Sequence, residues 1–468
     1  MVRTRCFFLL AAAFALLACP SAAPPPERSA GVGRGVAAGR DVILITLDTV
    51  RADRLGAYGS TRPEASPAMD ALLARGARFA QATAPRSATW PSLGTVLTGL
   101  YPSGHGLIEN GYAFAEEIEL LPEILKRAGY RTGAFLSNMC QANHQGFDVL
   151  QCSGGQDGKT VERALAWDQA AADAPTFLWV HLFAAHGPYY NGGDRGARLD
   201  PGYEGPVAAK KWALDRIMNE KVPLSERDLQ HLDAIYDAAV MGTDGHVGRL
   251  LAGLGLEPGG ERAKNSVVIL LADHGEELAE HNGYLYHACS VYQSTLHVPL
   301  GFVAEGAVPA GTVSHLVELA DVLPTLLDLL GLPAPPDQHG VSLLPLLSRM
   351  SSQRPGDLGN KPAFSEYSGL PIHTVQAGAW KLVLNPEGLS PTCIVGAPPN
   401  HYPIGRVELY DLASDPGETR NLAEQNPAKV TELAALLERR FAGLSSRGKQ
   451  ELDPKLKEEL RALGYVAN

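Results

Sequence analysis

The stretch "DVILITLDTVRADRLGAYG", Asp41 to Gly59, decides the fold. Val42 to Leu47 is apolar but for one threonine, and it then gives way to Asp48, Thr49, Arg51 and Asp53. A half-exposed strand would alternate polar and apolar residues. An unbroken run bounded by polar ones suits a strand covered on both faces. The plan recurs in "PTFLWVHLFAAHGPYY", with a strand Phe177 to Phe183, and in "NSVVILLADHGEEL", with a strand Val267 to Leu271. Helical patterns lie between. "PAMDALLARGARFAQA" has helical spacing and ends near a glycine, and "LLPEILKRAGYRTGAFLSN" reads as helix, glycine stop, strand. "SERDLQHLDAIYDAAVMGTDGHVGRLLAGLGL" is a long amphipathic helix with an acidic first turn at Glu226 and Asp228. "ELADVLPTLLDLLGLP" is a helix stopped by Gly331 and Pro333. Alternating strands and helices predict an α/β fold with a large, mostly parallel central sheet and helices on both faces. From Ala363 onward the short runs "HTVQAGAWKLVLN" and "VELYDL" predict a small antiparallel β subdomain with a helix.

The 468 residues are 45% apolar and 19% charged, an ordinary globular balance. The net charge of −11, without a Lys/Arg run, argues against a nucleic-acid partner. The first residues, basic "MVRTR" and then apolar "CFFLLAAAFALLA", read as an export signal too short to span a bilayer. "LLAC", Leu16 to Cys19, resembles a bacterial lipoprotein signal with Cys19 lipidated. The Pro/Ala/Gly-rich stretch after it reads as a tether. The expected division is a signal peptide at 1–19, a tether at 20–40, a catalytic domain at 41–358, an antiparallel subdomain at 359–440 and a helical tail at 441–468. The expected location is the bacterial cell envelope, lipid-anchored or periplasmic, with the membrane met only through the lipid. Cys140, Cys152, Cys289 and Cys393 could form two disulfides, Cys140–Cys152 being the most local choice.

In open α/β sheets, ligands gather outside the carboxyl ends of the strands. Three strands deliver polar residues there: Asp48, Thr49, Arg51 and Asp53; His181, His186 and Tyr189; and Asp273, His274, Glu276 and Glu277. Asp48, Asp273 and His274 offer two carboxylates and an imidazole, a donor set for one divalent cation such as Ca, Mn or Zn. Asp48 could equally cap a helix.

Five ordered motifs then carry a family resemblance. "VILITLDTVRADRLGAYG", "TWPSLGTVLTGLYPSGHG", "LWVHLFAAHGPY", "ILLADHGEELAEHNGYLYHACSVYQSTLHVPL" and "ELYDLASDPGETRNLA" resemble the sulfatase family, within the alkaline phosphatase superfamily. The resemblance implies a large α/β domain with a small four-stranded antiparallel subdomain. It also implies a metal-dependent hydrolase of a small-molecule, glycan or lipid ester. In that family a Cys or Ser precedes x-Pro-Ser-Arg and is oxidised to formylglycine. Here Thr98-Gly99 sets the register, so that position falls on Thr89, and Leu93 stands where the Arg belongs. Threonine is not the accepted precursor, so formylglycine should not form. A metal-activated threonine hydroxyl can attack phosphorus directly, which favours phosphate over sulfate esters. The alternative for Thr89 is a helix cap, in competition with Ser87 and Ser92. The resemblance further implies His186 as a proton donor to the leaving group and His287 as a contact to the ester oxygens, with His281 and His297 as alternatives for the latter. A phospho-alcohol transferase and an inactive binding protein are the other function classes the sequence allows.

Overall fold

The computed structural model describes residues 32–114, 117–137, 145–170, 174–189, 192–352, 361–367, 370–389, 403–442 and 450–451. The signal, most of the tether and most of the C-terminal tail lie outside these residues.

A nine-stranded sheet forms the centre. Its strands are β1 (Asp41–Leu47), β2 (Ala77–Thr83), β3 (Arg131–Leu136), β4 (Val149–Cys152), β5 (Thr176–Leu182), β6 (Ser266–Ala272), β7 (His297–Val298), β8 (Leu300–Val303) and β9 (Gly311–Glu318). The neighbours β6, β1, β5, β3 and β4 are parallel. β8 runs antiparallel between β6 and β2, β7 pairs the end of β2, and β9 pairs β2 in parallel. All residues of β5 and β6 are buried, and so are all of β1 after Asp41. This is why their sequences read as continuous apolar runs. Helices pack on both faces. One group contains Pro67–Leu73, α2 (Asp157–Gln169) and α3 (Glu226–Gly253), and the other contains α1 (Thr89–Thr98) with Leu121–Arg127 and Val322–Leu330. The start of α3 is fixed by a capping box between Ser225 and Asp228.

The helix in "PAMDALLARGARFAQA" ends near its glycine, as expected, but the strand that follows was not foreseen. The helix stops at Leu73, and the residues after Gly76 form β2. A Cβ on Gly76 would lie 2.2 Å from the carbonyl oxygen of Phe302, so glycine lets the chain turn tightly under β8 and join the sheet. Asp244 and His246 lie within α3. Asp244 there accepts the backbone N–H groups of Ala68 and Met69 at 3.1 and 2.8 Å, satisfying the start of the neighbouring helix.

The strand register sets the site. Leu47 lies opposite both Leu182 and Ala272, so Asp48 and Asp273 leave the sheet side by side.

A second, four-stranded sheet is antiparallel in sequence order: β10 (Ala363–Tyr367), β11 (Ile372–Ala377), β12 (Trp380–Leu384) and β13 (Val407–Asp411). The helix Pro427–Phe441 packs its Leu433 and Leu437 against this sheet. β10 also grips the loop that leads into α1. Glu366 donates its N–H to Pro85 at 2.9 Å, Ser365 donates its hydroxyl to Ala84 at 2.7 Å, and the Arg86 guanidinium lies 3.7 Å from the centre of the Tyr367 ring. Lys381 reaches back to the carbonyl of Val291 at 2.8 Å. Cys152 and Cys289 are both disulfide-bonded, while Cys140 and Cys393 lie outside the described residues.

Burial pushes the Glu366 carboxyl up to about 7, against the hydrogen bonds from Ser103 and the charges of Arg86 and Arg440. Between its ordinary value of 4.5 and about 7, the folded state holds this proton more tightly than the unfolded chain. The stability contributed is therefore complete below 4.5 and is lost as pH rises toward 7. The loss is on the order of 3 kcal/mol. Glu366→Gln should flatten this fall in thermal melts between pH 5 and 8, and an unchanged slope would refute the assignment.

Candidate active site

Asp48 follows β1, and Asp273 and His274 follow β6; all three are fully buried. Thr89 is the first residue of α1, also buried. The cap position belongs to Ala88, which has no side-chain hydrogen bond, so Thr89 does not cap the helix. The competing serines are also spoken for: Ser87 donates to Ser290 at 2.6 Å and Ser92 to the carbonyl of Asp273 at 2.6 Å. The second of these bonds ties α1 to the end of β6. The Thr89 hydroxyl lies 3.5 Å from Nε2 of His274. That same nitrogen lies 3.9 Å from Asp48 Oδ1 and 3.6 Å from Asp273 Oδ2. The structure thus brings together all four residues that the sequence proposed for nucleophile and metal.

The histidine tautomers follow from their partners. His274 Nδ1 donates to the carbonyl of Gly275 at 2.9 Å, so its Nε2 presents a lone pair to the two carboxylates. Asp273 Oδ2 is buried with no hydrogen-bond partner. Two carboxylates and a lone pair converging in a dry pocket form a donor set that fits a divalent cation. Oxygen and nitrogen atoms of Asp48, His181 and Asp273 also lie within 4.8 Å of one another. The hydrogen-bond chain gives His181 a supporting role, however. Trp179 Nε1 donates to Thr46 Oγ1 at 2.9 Å, that hydroxyl meets His181 Nδ1 at 2.9 Å, and His181 Nε2 donates to Asp48 Oδ2 at 3.3 Å. Such a partner orients a ligating carboxylate.

The charges are unequal. Burial would raise Asp48, but the hydrogen bond from His181 and the surrounding imidazoles outweigh it and hold this carboxyl below its usual range. Burial, reinforced by the charge of Asp48, pushes Asp273 well up. Burial and the nearby His287 push His274 far down, so it is neutral and able to ligate. Thr49 is held at a φ of 59°, with its N–H on Asp273 Oδ1 at 3.3 Å and its carbonyl on the Tyr236 hydroxyl at 2.6 Å. The arrangement fixes the turn that presents Asp48.

Two further imidazoles complete the cluster. The His287 ring lies 4.4 Å from that of His274 and 4.9 Å from that of His186. Burial depresses His186, whereas the carboxylate of Glu276 overcomes burial and raises His287. The alternatives to His287 face elsewhere. His281 stacks on Tyr292 and bonds Glu277, and His297 bonds the carbonyl of Ala80. Arg51 bonds Asp53 and Glu280 behind the site. Asp157 and the roles of His181 and Glu276 were not foreseen. Asp157, at the start of α2, accepts the N–H groups of Phe183 and Ala184 at 2.9 and 2.8 Å and so anchors the loop carrying His186. No local sequence signal marks it.

The sequence matches the sulfatase family over residues 40–332. The chain belongs to the sulfatase family. This sulfatase is an ester hydrolase. It is 26% identical over 480 residues to arylsulfatase K of Canis lupus familiaris, covering 87% of this chain and 84% of that protein. It is also 26% identical over 430 residues to arylsulfatase K of Xenopus laevis, covering 78% and 76%. Its fold matches that of BT4656 in complex with its substrate D-glucosamine-2-N,6-O-disulfate, with a TM-score of 0.66, 21% identity and coverage of 86% of this sulfatase and 98% of that chain. The phosphonate monoester hydrolase of Agrobacterium radiobacter matches with a TM-score of 0.66 at 19% identity, covering 89% and 100%. The arylsulfatase K relatives, among them the dog and human proteins, are eukaryotic, which overturns the expected bacterial-envelope location. Among the described residues no helix is long and apolar enough to cross a membrane.

Proposed function

We propose that this sulfatase cleaves a phosphate-type or sulfate ester in two steps with Thr89 as nucleophile, phosphate-type esters being favoured. The observation that carries the reading is the Thr89 hydroxyl, buried 3.5 Å from His274 Nε2 beside Asp48 and Asp273. Asp48, Asp273 and His274 would hold one divalent cation, whose Lewis acidity makes a nearby hydroxyl more acidic and offsets charge on the ester oxygens. Thr89 Oγ1 attacks the central phosphorus or sulfur, its proton passes to the imidazole pair His186 and His287, and the bond to the alcohol breaks. The imidazole pair His186 and His287 hands a proton to the departing alcohol. Water then attacks the Thr89 ester, releasing the sulfate, phosphate or phosphonate product and restoring the hydroxyl. A phospho-threonine returns to the free hydroxyl through ordinary in-line attack by water. A sulfo-threonine lacks the easy release that a formylglycine hydrate offers, so phosphate-type esters suit this nucleophile better. The relatives and fold neighbours include both an arylsulfatase and a phosphonate monoester hydrolase, and one neighbour binds a sulfated sugar. A glycan or other small-molecule ester is therefore the substrate class to test.

The test is a panel of aryl sulfates, phosphomonoesters, phosphodiesters and phosphonates, with rapid quench and peptide mass spectrometry. The expected result is transient addition of the phosphoryl or sulfuryl group to the peptide containing Thr89. Full turnover with that peptide unmodified at every time point would refute the covalent route.

A further inference from the structure

One carboxylate behind the site holds groups from two separate pieces of chain. Glu276 Oε1 accepts from His287 Nδ1 at 2.7 Å, and its Oε2 accepts from the backbone N–H of Gly187, the neighbour of His186, at 3.2 Å. The side chain is fully buried. Its backbone is anchored as well: the N–H donates to Ser294 at 3.1 Å, and the carbonyl accepts from Arg51 at 3.1 Å. The His186 loop comes as close as glycine permits, since a Cβ on Gly187 would lie 2.5 Å from the Tyr286 ring and 3.5 Å from Glu276 Oε2. We propose that Glu276 is the positioning residue for both histidines, fixing the His287 ring through Nδ1 and the place of His186 through the Gly187 amide. The inference rests on the reading above, in which these two imidazoles transfer the protons.

Both donors need an acceptor, and a carboxylate offers one oxygen to each. A glutamine of the same size has only one acceptor, because its amide nitrogen is a donor. Glu276→Gln therefore removes one of the two contacts without opening a cavity. It should lower kcat by about 30-fold or more while KM stays within about threefold. A double-mutant cycle separates positioning from general support of the fold. In a chain already carrying His186→Gln and His287→Gln, the same Glu276→Gln change should cost less than about threefold. An equal loss in both backgrounds, or an unchanged kcat in the single variant, overturns the proposal. If thermal melts show that the Gln variant does not fold, Glu276→Asp is read through the same cycle. It keeps the charge but falls one methylene short of both donors. Failure of the nucleophile reading would look different. An active Thr89→Ala variant with a coupled cycle removes Thr89 from the mechanism and leaves Glu276 in place. A dead Thr89→Ala variant with additive losses removes only the Glu276 inference.

Discussion

Replacing Thr89 by alanine is expected to lower kcat by about a thousandfold or more, whichever ester proves to be the substrate, because loss of a nucleophile removes the covalent route entirely. The fold should survive. Thr89 does not cap α1, and the helix is tied to β6 through Ser92 instead. A surface-sized change in melting temperature is therefore expected alongside the lost turnover. Thr89→Ser keeps a hydroxyl at the same place and should remain within roughly tenfold of the parent, losing only the methyl group that fixes the rotamer. The pair of variants decides between a nucleophile and a packing residue. If alanine retains turnover, or if serine is as dead as alanine, the proposed chemistry is wrong.

The second large effect concerns the two carboxylates. Asp48 and Asp273 leave adjacent strand ends fully buried, and burial, reinforced by the charge of Asp48, pushes the Asp273 carboxyl well up. Without a cation, this pair costs stability. Asp273→Asn should thus leave the chelator-treated protein at least as stable as the chelator-treated parent, while lowering kcat by about a thousandfold. Addition of Ca, Mn or Zn should raise the melting temperature of the parent by several degrees. A ligand at a hundred times its Kd is worth about 2.7 kcal/mol of stability. The asparagine variant should gain little from the same addition. Thermal melts with and without chelator, read beside turnover, check both halves. Equal stabilisation of parent and variant by the ion would mean that the cation sits elsewhere.

Much of this architecture could be read from residues because burial on both faces leaves a plain mark. β1, β5 and β6 appear as apolar runs, and the polar residues that end them are those that meet in space. The strand after Gly76 was harder. The meaning of that glycine depends on the Phe302 carbonyl, far along the chain, and the residues after it keep a helix-compatible pattern while joining the sheet. Asp48, Asp273 and His274 were legible as a group because each follows a recognisable strand, whereas Thr89 was reached only through the resemblance of its motif to that of the sulfatases. Choosing His287 over His281 and His297 required coordinates, since all three lie in one short polar segment and differ only in what each ring faces. His181 stands among the polar residues at its strand end, but its part in orienting Asp48 shows only in their hydrogen bond. Asp157 and Glu276 act on backbone amides and a ring contributed by other loops, a relation that sequence order hides.

The small sheet supplies none of the proposed reacting groups, yet β10 grips Ala84 and Pro85 and stacks Tyr367 on Arg86, three residues before the proposed nucleophile. A polypeptide cut short before Ala363 would keep every group needed for bond cleavage and lose the brace that aims one of them. Nonsense and frameshift lesions in the distal lobe should therefore read out as lost turnover. On this geometry the smallest unit expected to work is both lobes together.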